Sequence, residues 1–155
     1  MQIGNNTIKY PIIQGGMGVG CSLDNLAGNV SLCGGLGVVA TVGVGYYKDN
    51  KYLVASKKGI AIPEEFNSPR ALHEIISNAK KISNGNPVAA NVMVALSDYE
   101  GVLNATCEAG ADIIISGAGL PMKLPSIKDK YPNIAIVPIV SNVKVLKILL
   151  KRWKG

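Results

Sequence analysis

The chain has 155 residues, of which 48% are hydrophobic and 17% charged, a balance that suits one globular domain and excludes a disordered or collagen-like chain. Its formal net charge of +6 comes largely from Lys144, Lys147, Lys151, Arg152 and Lys154, and with one Trp and one Phe there is no aromatic stacking set, so nucleic acid is excluded as a partner. No apolar run reaches about 18 residues and the polar stretch Gln2–Lys9 is unlike a signal peptide, so a membrane partner is excluded and the cytoplasm is expected.

The first apolar run, Pro11–Gln14, is closed by Gly15-Gly16-Met17-Gly18-Val19-Gly20. Ser22 is placed to cap a helix through Leu23, Leu26, Val30 and Cys33, and Gly34-Gly35 ends it. A second run covers Gly37–Thr41. Residues 46–66 break the rhythm; they are polar and tyrosine-bearing, and read as an excursion over one end of the sheet. Further runs follow at Val88–Val92, Asp112–Ile115 and Ile134–Ile139, with helical stretches at Pro69–Ile82, Asp98–Glu108 and Val143–Trp153.

These runs are apolar at consecutive positions, which marks strands buried on both faces, as in parallel sheets covered by helices. The α/β alternation leaves an open doubly wound sheet or a closed barrel. No glycine cluster satisfies G-x-G-x-x-G, and no G-x-x-x-x-G-K-[ST] occurs, so the dinucleotide and P-loop fingerprints are missing. Small or polar residues stand instead at the C-terminal ends of several strands, where barrel active sites are built. The expected fold is a partial (β/α)8 TIM barrel of about five βα units with parallel strands. No linker divides residues 1–155 into domains.

At these strand ends the wording becomes specific. "PIIQGGMGVG", "GGLGVVA", "NVMVALSDYEG" and "AGADIIISGAGLP" resemble, in order, the first four strands and loops of nitronate monooxygenases and of FabK-type enoyl-acyl-carrier-protein reductases. The resemblance implies FMN, held without a covalent bond at the mouth of a barrel, and a small-molecule substrate. It implies oxidation of alkyl nitronates by O2, or alternatively NAD(P)H-driven reduction of an enoyl thioester. It also implies a catalytic histidine in a Gly-Gly-His loop after the sixth strand, and phosphate-holding loops later still. Neither occurs in this chain, and a full barrel takes at least about 200 residues. The chain therefore reads as the N-terminal part of such a barrel. A non-catalytic half-barrel that self-associates, as a homo-oligomer or with a complementary barrel fragment, is the other expectation, because unclosed strands leave edges unpaired.

The cofactor candidates follow from the strand ends. Gln14, Gly15, Gly16 and Met17 offer backbone that a planar ring can approach closely, although a plain strand-to-helix turn would use the same glycines. Asn91 and Met93 alternate on one strand face, and an Asn amide can donate to and accept from the flavin pyrimidine edge. By resemblance Gly117 sits near the substrate and Ile139 near main-chain contacts to FMN. His73, the only histidine, falls mid-helix and is not a catalytic candidate. The carboxylates form neither a catalytic pair nor a metal constellation. Cys21, Cys33 and Cys107 read as small buried residues of a reducing compartment.

Overall fold

The computed structural model describes residues 1–46, 53–55, 61–63 and 68–153. The chain opens with an antiparallel hairpin, β1 (Gln2–Ile3) and β2 (Asn6–Thr7), turned by Gly4 at φ +57° and Asn5. Helix α1 (Asp24–Leu32) and strand β3 (Gly37–Ala40) follow. Within the expected excursion, β4 (Leu53–Ala55) pairs antiparallel with β5 (Ala61–Pro63); most of the remaining excursion lies outside the described residues. Next come α2 (Pro69–Ile82), β6 (Val88–Met93), α3 (Tyr99–Glu108), β7 (Ile113–Gly117), the short α4 (Ile127–Lys130), β8 (Ala135–Pro138) and α5 (Val143–Arg152).

The main sheet has the order β3-β6-β7-β8 and every pairing is parallel. Spatial order therefore equals chain order, with no strand inserted between neighbours. A doubly wound sheet reverses its order partway, whereas a barrel does not. The fold is a partial (β/α)8 barrel.

Residues 11–14 sit where a first barrel strand belongs, beside β3, but they make only a single bridge, Ile13 to Leu36. Leu36 N–H donates to the Ile12 carbonyl at 2.8 Å, and Gln14 N–H donates to the Leu36 carbonyl at 3.0 Å. Beyond Gln14 the backbone turns away. Side chain and loop then continue the ladder: the Gln14 amide takes both main-chain groups of Val38, and the Ser22 carbonyl accepts from Ala40 N–H at 2.8 Å. The expected strand is thus one bridge long because a side chain does the rest of its pairing.

Each strand divides its residues between two cores. Val39, Val88, Ala90, Val92 and Ile114 face outward onto the helices, where Leu72, Ile75 and Ile76 of α2 and Val102 and Leu103 of α3 are buried. Each such Leu or Ile contributes roughly 1.5–3 kcal/mol by leaving water. Val38, Ala89, Ile113 and Ala135 face the other way and form the inner layer, closed from below by Ile8 and Ile3 of the hairpin region. The hairpin thus floors the barrel, its Gly4 so close to Ala135 that a Cβ would lie 2.9 Å from the Ala135 Cβ.

Capping fixes where the helices begin. Ser68 precedes Pro69 and its hydroxyl accepts from Ala71 N–H; Asp98 accepts from Gly101 N–H and Asn142 from Val145 N–H. At the start of β7, Asp112 accepts both Lys80 Nζ, at 2.6 and 2.7 Å, and Val88 N–H at 2.8 Å. That joins α2, β6 and β7 at the end of the sheet remote from the C-terminal strand tips. Both lateral edges carry exposed apolar side chains: Ile12, Ile13 and Leu26 on one, Ile139, Val143 and Leu150 on the other. On α5 only Leu149 is fully buried, and Lys144, Lys147 and Lys151 point to solvent.

Candidate functional site

The inner face is built in layers that the strand register aligns. Val38, Ala89, Ile113 and Ala135 form the buried bottom layer. One step up, Ala40 pairs with Asn91, Asn91 with Ile115, and Ile115 with Val137. At the top, Met93 pairs with Gly117, and Ile139 N–H donates to the Ser116 carbonyl at 2.8 Å. The bottom layer is wholly apolar, and the polar Asn91 and the glycine Gly117 are in the upper two layers, at the C-terminal ends of the strands.

Close packing joins neighbouring strand tips into one rim. Gly16 lies against β6: a Cβ there would stand 2.7 Å from Asn91 Cβ and 3.2 Å from Val38 Cγ1. Gly117 lies against the segment after β8, a Cβ meeting Ile139 Cβ at 2.8 Å. The Thr41 hydroxyl donates to the Asn91 carbonyl at 2.9 Å, and Val94 N–H donates to the Gly117 carbonyl at 2.8 Å. Gly15, Gly16, Asn91, Met93, Gly117 and Ile139 therefore border one mouth. Met17 is 56% exposed and Ile139 51% exposed, so both apolar side chains stand open to solvent.

The two amides of the site differ in what is left over. Gln14 Nε2 donates to the Ser22 hydroxyl at 2.9 Å and to the Val38 carbonyl at 3.2 Å, while its Oε1 accepts from Val38 N–H at 3.3 Å. Its donors and acceptor are engaged within the protein. The half-buried Asn91 side chain has no hydrogen-bond partner among the described residues. A half-buried amide with both functions open is available to a ligand.

Ser22 does not cap α1, whose N-cap is Leu23 without a side-chain hydrogen bond. Its fully buried hydroxyl instead accepts from Gln14 Nε2 and from Met17 N–H at 3.0 Å, and donates to the Gly15 carbonyl at 3.1 Å. Beneath the β7 tip, Ser116 donates to the Val92 carbonyl at 2.9 Å and shares a hydrogen bond with the Tyr99 hydroxyl at 3.0 Å. Burial holds the Tyr99 phenol above its ordinary range, with the Ser116 bond opposing it.

The nitronate monooxygenase family model matches residues 1–155. The chain belongs to the nitronate monooxygenase family. No curated protein matches it in sequence. Among solved structures it is similar to FabK from Thermotoga maritima, with TM-score 0.66 and 21% identity over 94% of this chain and 38% of that one. A point variant of the same FabK superposes with TM-score 0.69 and 21% identity, over 94% of this chain and 40% of that one. The likeness confirms the barrel fold, and the chain spans about two-fifths of those structures' length.

The sequence places Thr41 and Ser116 at strand ends, where a barrel site is expected, but gives no sign of Ser22 or Tyr99 as parts of the site's support. Ser22 carried the signature of a helix cap, and a buried hydroxyl that braces a loop looks the same in sequence. His73 is exposed on α2, far along the chain from any strand tip. Cys107 is buried, but Cys21 and Cys33 are exposed, against the expectation that all three are buried. Cys33 is the C-cap of α1 and Cys21 lies in the loop after Gly20, where no second layer covers them. Among the described residues no helix is long and apolar enough to cross a membrane, and no cluster of His, Cys, Asp and Glu could hold a metal.

Proposed function

We propose that the chain carries part of the flavin site of an FMN-dependent oxidoreductase acting on alkyl nitronates with O2. The observation that carries this reading is the unpartnered Asn91 amide, set beside Gly15 and Gly16 at the mouth of a parallel barrel. An isoalloxazine has a flat apolar body and a pyrimidine edge that both donates and accepts. The Asn91 amide matches that edge, and Met17, Met93 and Ile139 offer apolar contact. Gly15 leaves open space where a side chain would stand, with nothing within 4 Å of a Cβ built there. Bound FMN would supply the redox chemistry. The chain's own residues hold and orient it, and none of them is proposed as a catalytic acid or base.

Titrating FMN with the chain should quench flavin fluorescence saturably, and Asn91→Ala should weaken the binding about tenfold, the loss of a hydrogen bond to a buried ligand. Binding equal in both proteins would overturn the assignment of Asn91, and no binding in either would overturn the flavin reading. The reaction is separated by substrate: oxygen uptake with an alkyl nitronate supports the proposal. NAD(P)H consumption with an enoyl thioester would instead favour the FabK-type alternative. The exposed apolar side chains on both lateral edges favour a second reading, a non-catalytic half-barrel that pairs with a copy of itself or a complementary fragment. A colourless oligomer without FMN affinity would be its signature.

A further inference from the structure

We propose that Gln14 and Ser22 form a positioning clamp, which sets the backbone of Gly15–Met17 in the shape the flavin site requires while neither side chain touches the ligand. This rests on the reading that the mouth binds FMN. The connectivity is closed. Gln14 is tied to Val38 through both its oxygen and its nitrogen, at 3.3 and 3.2 Å, so its side chain is registered against β3 as a strand would be. From that fixed amide, Nε2 reaches the Ser22 hydroxyl at 2.9 Å. The hydroxyl then grips the loop at two points, accepting from Met17 N–H at 3.0 Å and donating to the Gly15 carbonyl at 3.1 Å. Two main-chain bonds, Ser22 N–H to the Met17 carbonyl at 3.0 Å and Met17 N–H to the Gly15 carbonyl at 3.0 Å, close the loop.

The clamp also explains a feature that neither residue explains alone. Gly15 and Gly16 have no side chain to anchor them, and mobile glycine backbone loses more freedom on ordering than any other residue. Holding the Gly15 carbonyl and the Met17 amide leaves only Gly16 between two fixed points, and Gly16 is pinned against Asn91 and Val38. The loop is thereby ordered before a ligand arrives, which removes that entropy cost from binding. The strand-end reading places Gln14 among the cofactor contacts; its bonds to Val38 and Ser22 put it in the support beneath them.

The test uses Ser22→Ala in the full 155-residue chain, with FMN as the probe. Three quantities are measured: FMN affinity by fluorescence quenching, the visible absorption envelope of bound FMN, and hydrogen exchange of the Met17 amide without FMN. Affinity is expected to fall about tenfold, the absorption envelope to change, and Met17 to exchange faster while the β6 and β7 amides keep their protection. Gln14→Met, at a half-buried position, removes the amide but keeps Ser22, and should give the same three changes if Ser22→Ala does not fold. FMN affinity within twofold of the wild type, or a bound-flavin spectrum unchanged in both variants, would overturn the clamp alone. Failure of the wild type itself to bind FMN would overturn the flavin reading, and with it the clamp's role.

Discussion

Replacing Gly15 and Gly16 one at a time by alanine separates a ligand-facing glycine from a packed one. At Gly16 the new methyl would lie 2.7 Å from Asn91 Cβ, 3.2 Å from Val38 Cγ1 and 3.3 Å from Asn91 Cγ. Carbon atoms settle at about 3.5–4.0 Å, so loop and strand must part by roughly 1 Å. Overpacking of this kind costs about 1–3 kcal/mol. Because the displaced neighbour is Asn91, FMN affinity should fall along with stability. At Gly15 nothing lies within 4 Å of the added methyl, and its φ is outside the left-handed region. Gly15→Ala should keep or raise stability, by about 0.4–1 kcal/mol through a less flexible unfolded chain. Its methyl points into the space proposed for the flavin, so FMN affinity should fall about tenfold all the same. Urea unfolding followed by circular dichroism gives the stabilities, and fluorescence titration gives the affinities. A Gly15→Ala variant that binds FMN as well as the wild type would refute this placement of the ring, and an unperturbed Gly16→Ala would refute the packing.

Other outcomes follow from single contacts. Ala118, on the loop after β7, has φ +53°, a conformation that costs a residue with a Cβ roughly 1–2 kcal/mol; Ala118→Gly should therefore raise the urea midpoint. Asp112→Ala removes the acceptor shared by Lys80 Nζ and Val88 N–H; the Lys80 and Asp112 side chains are 30% and 25% exposed, and the loss should cost about 1–3 kcal/mol in denaturant unfolding. In the native protein a thiol reagent should label Cys21 and Cys33 promptly, and Cys107 only on unfolding. Burial pushes the Cys107 thiol up to about 12 from the usual 9.0. Between those values the unfolded chain has lost a proton that the folded chain keeps, so stability should fall as pH rises through that window, and Cys107→Ala should flatten the fall.

The strands were legible because burial on both faces writes a continuous apolar run, and the segments at residues 37, 88, 113 and 135 all fold as parallel strands in chain order. Their inner and outer faces were not legible for the same reason: Val38 and Val39 are alike in sequence, yet one faces the barrel interior and the other the helices. The N-terminal hairpin was hidden in a polar stretch, with two residues per strand and Gly4-Asn5 as the only turn signal. At the mouth, glycines and Asn91 were readable as candidates, but no sequence pattern distinguishes an engaged amide from an open one. Gln14 and Asn91 differ in that respect only because Val38 and Ser22 happen to lie within reach of Gln14.

Backbone amide shifts of the isotope-labelled chain during an FMN titration test the rim most directly. The account predicts saturable shifts at Gly15, Gly16, Asn91, Met93 and Gly117, with the hairpin floor and the outer faces of α2 and α3 unmoved. Shifts confined to those floor or helix residues, or none at millimolar FMN, would contradict it.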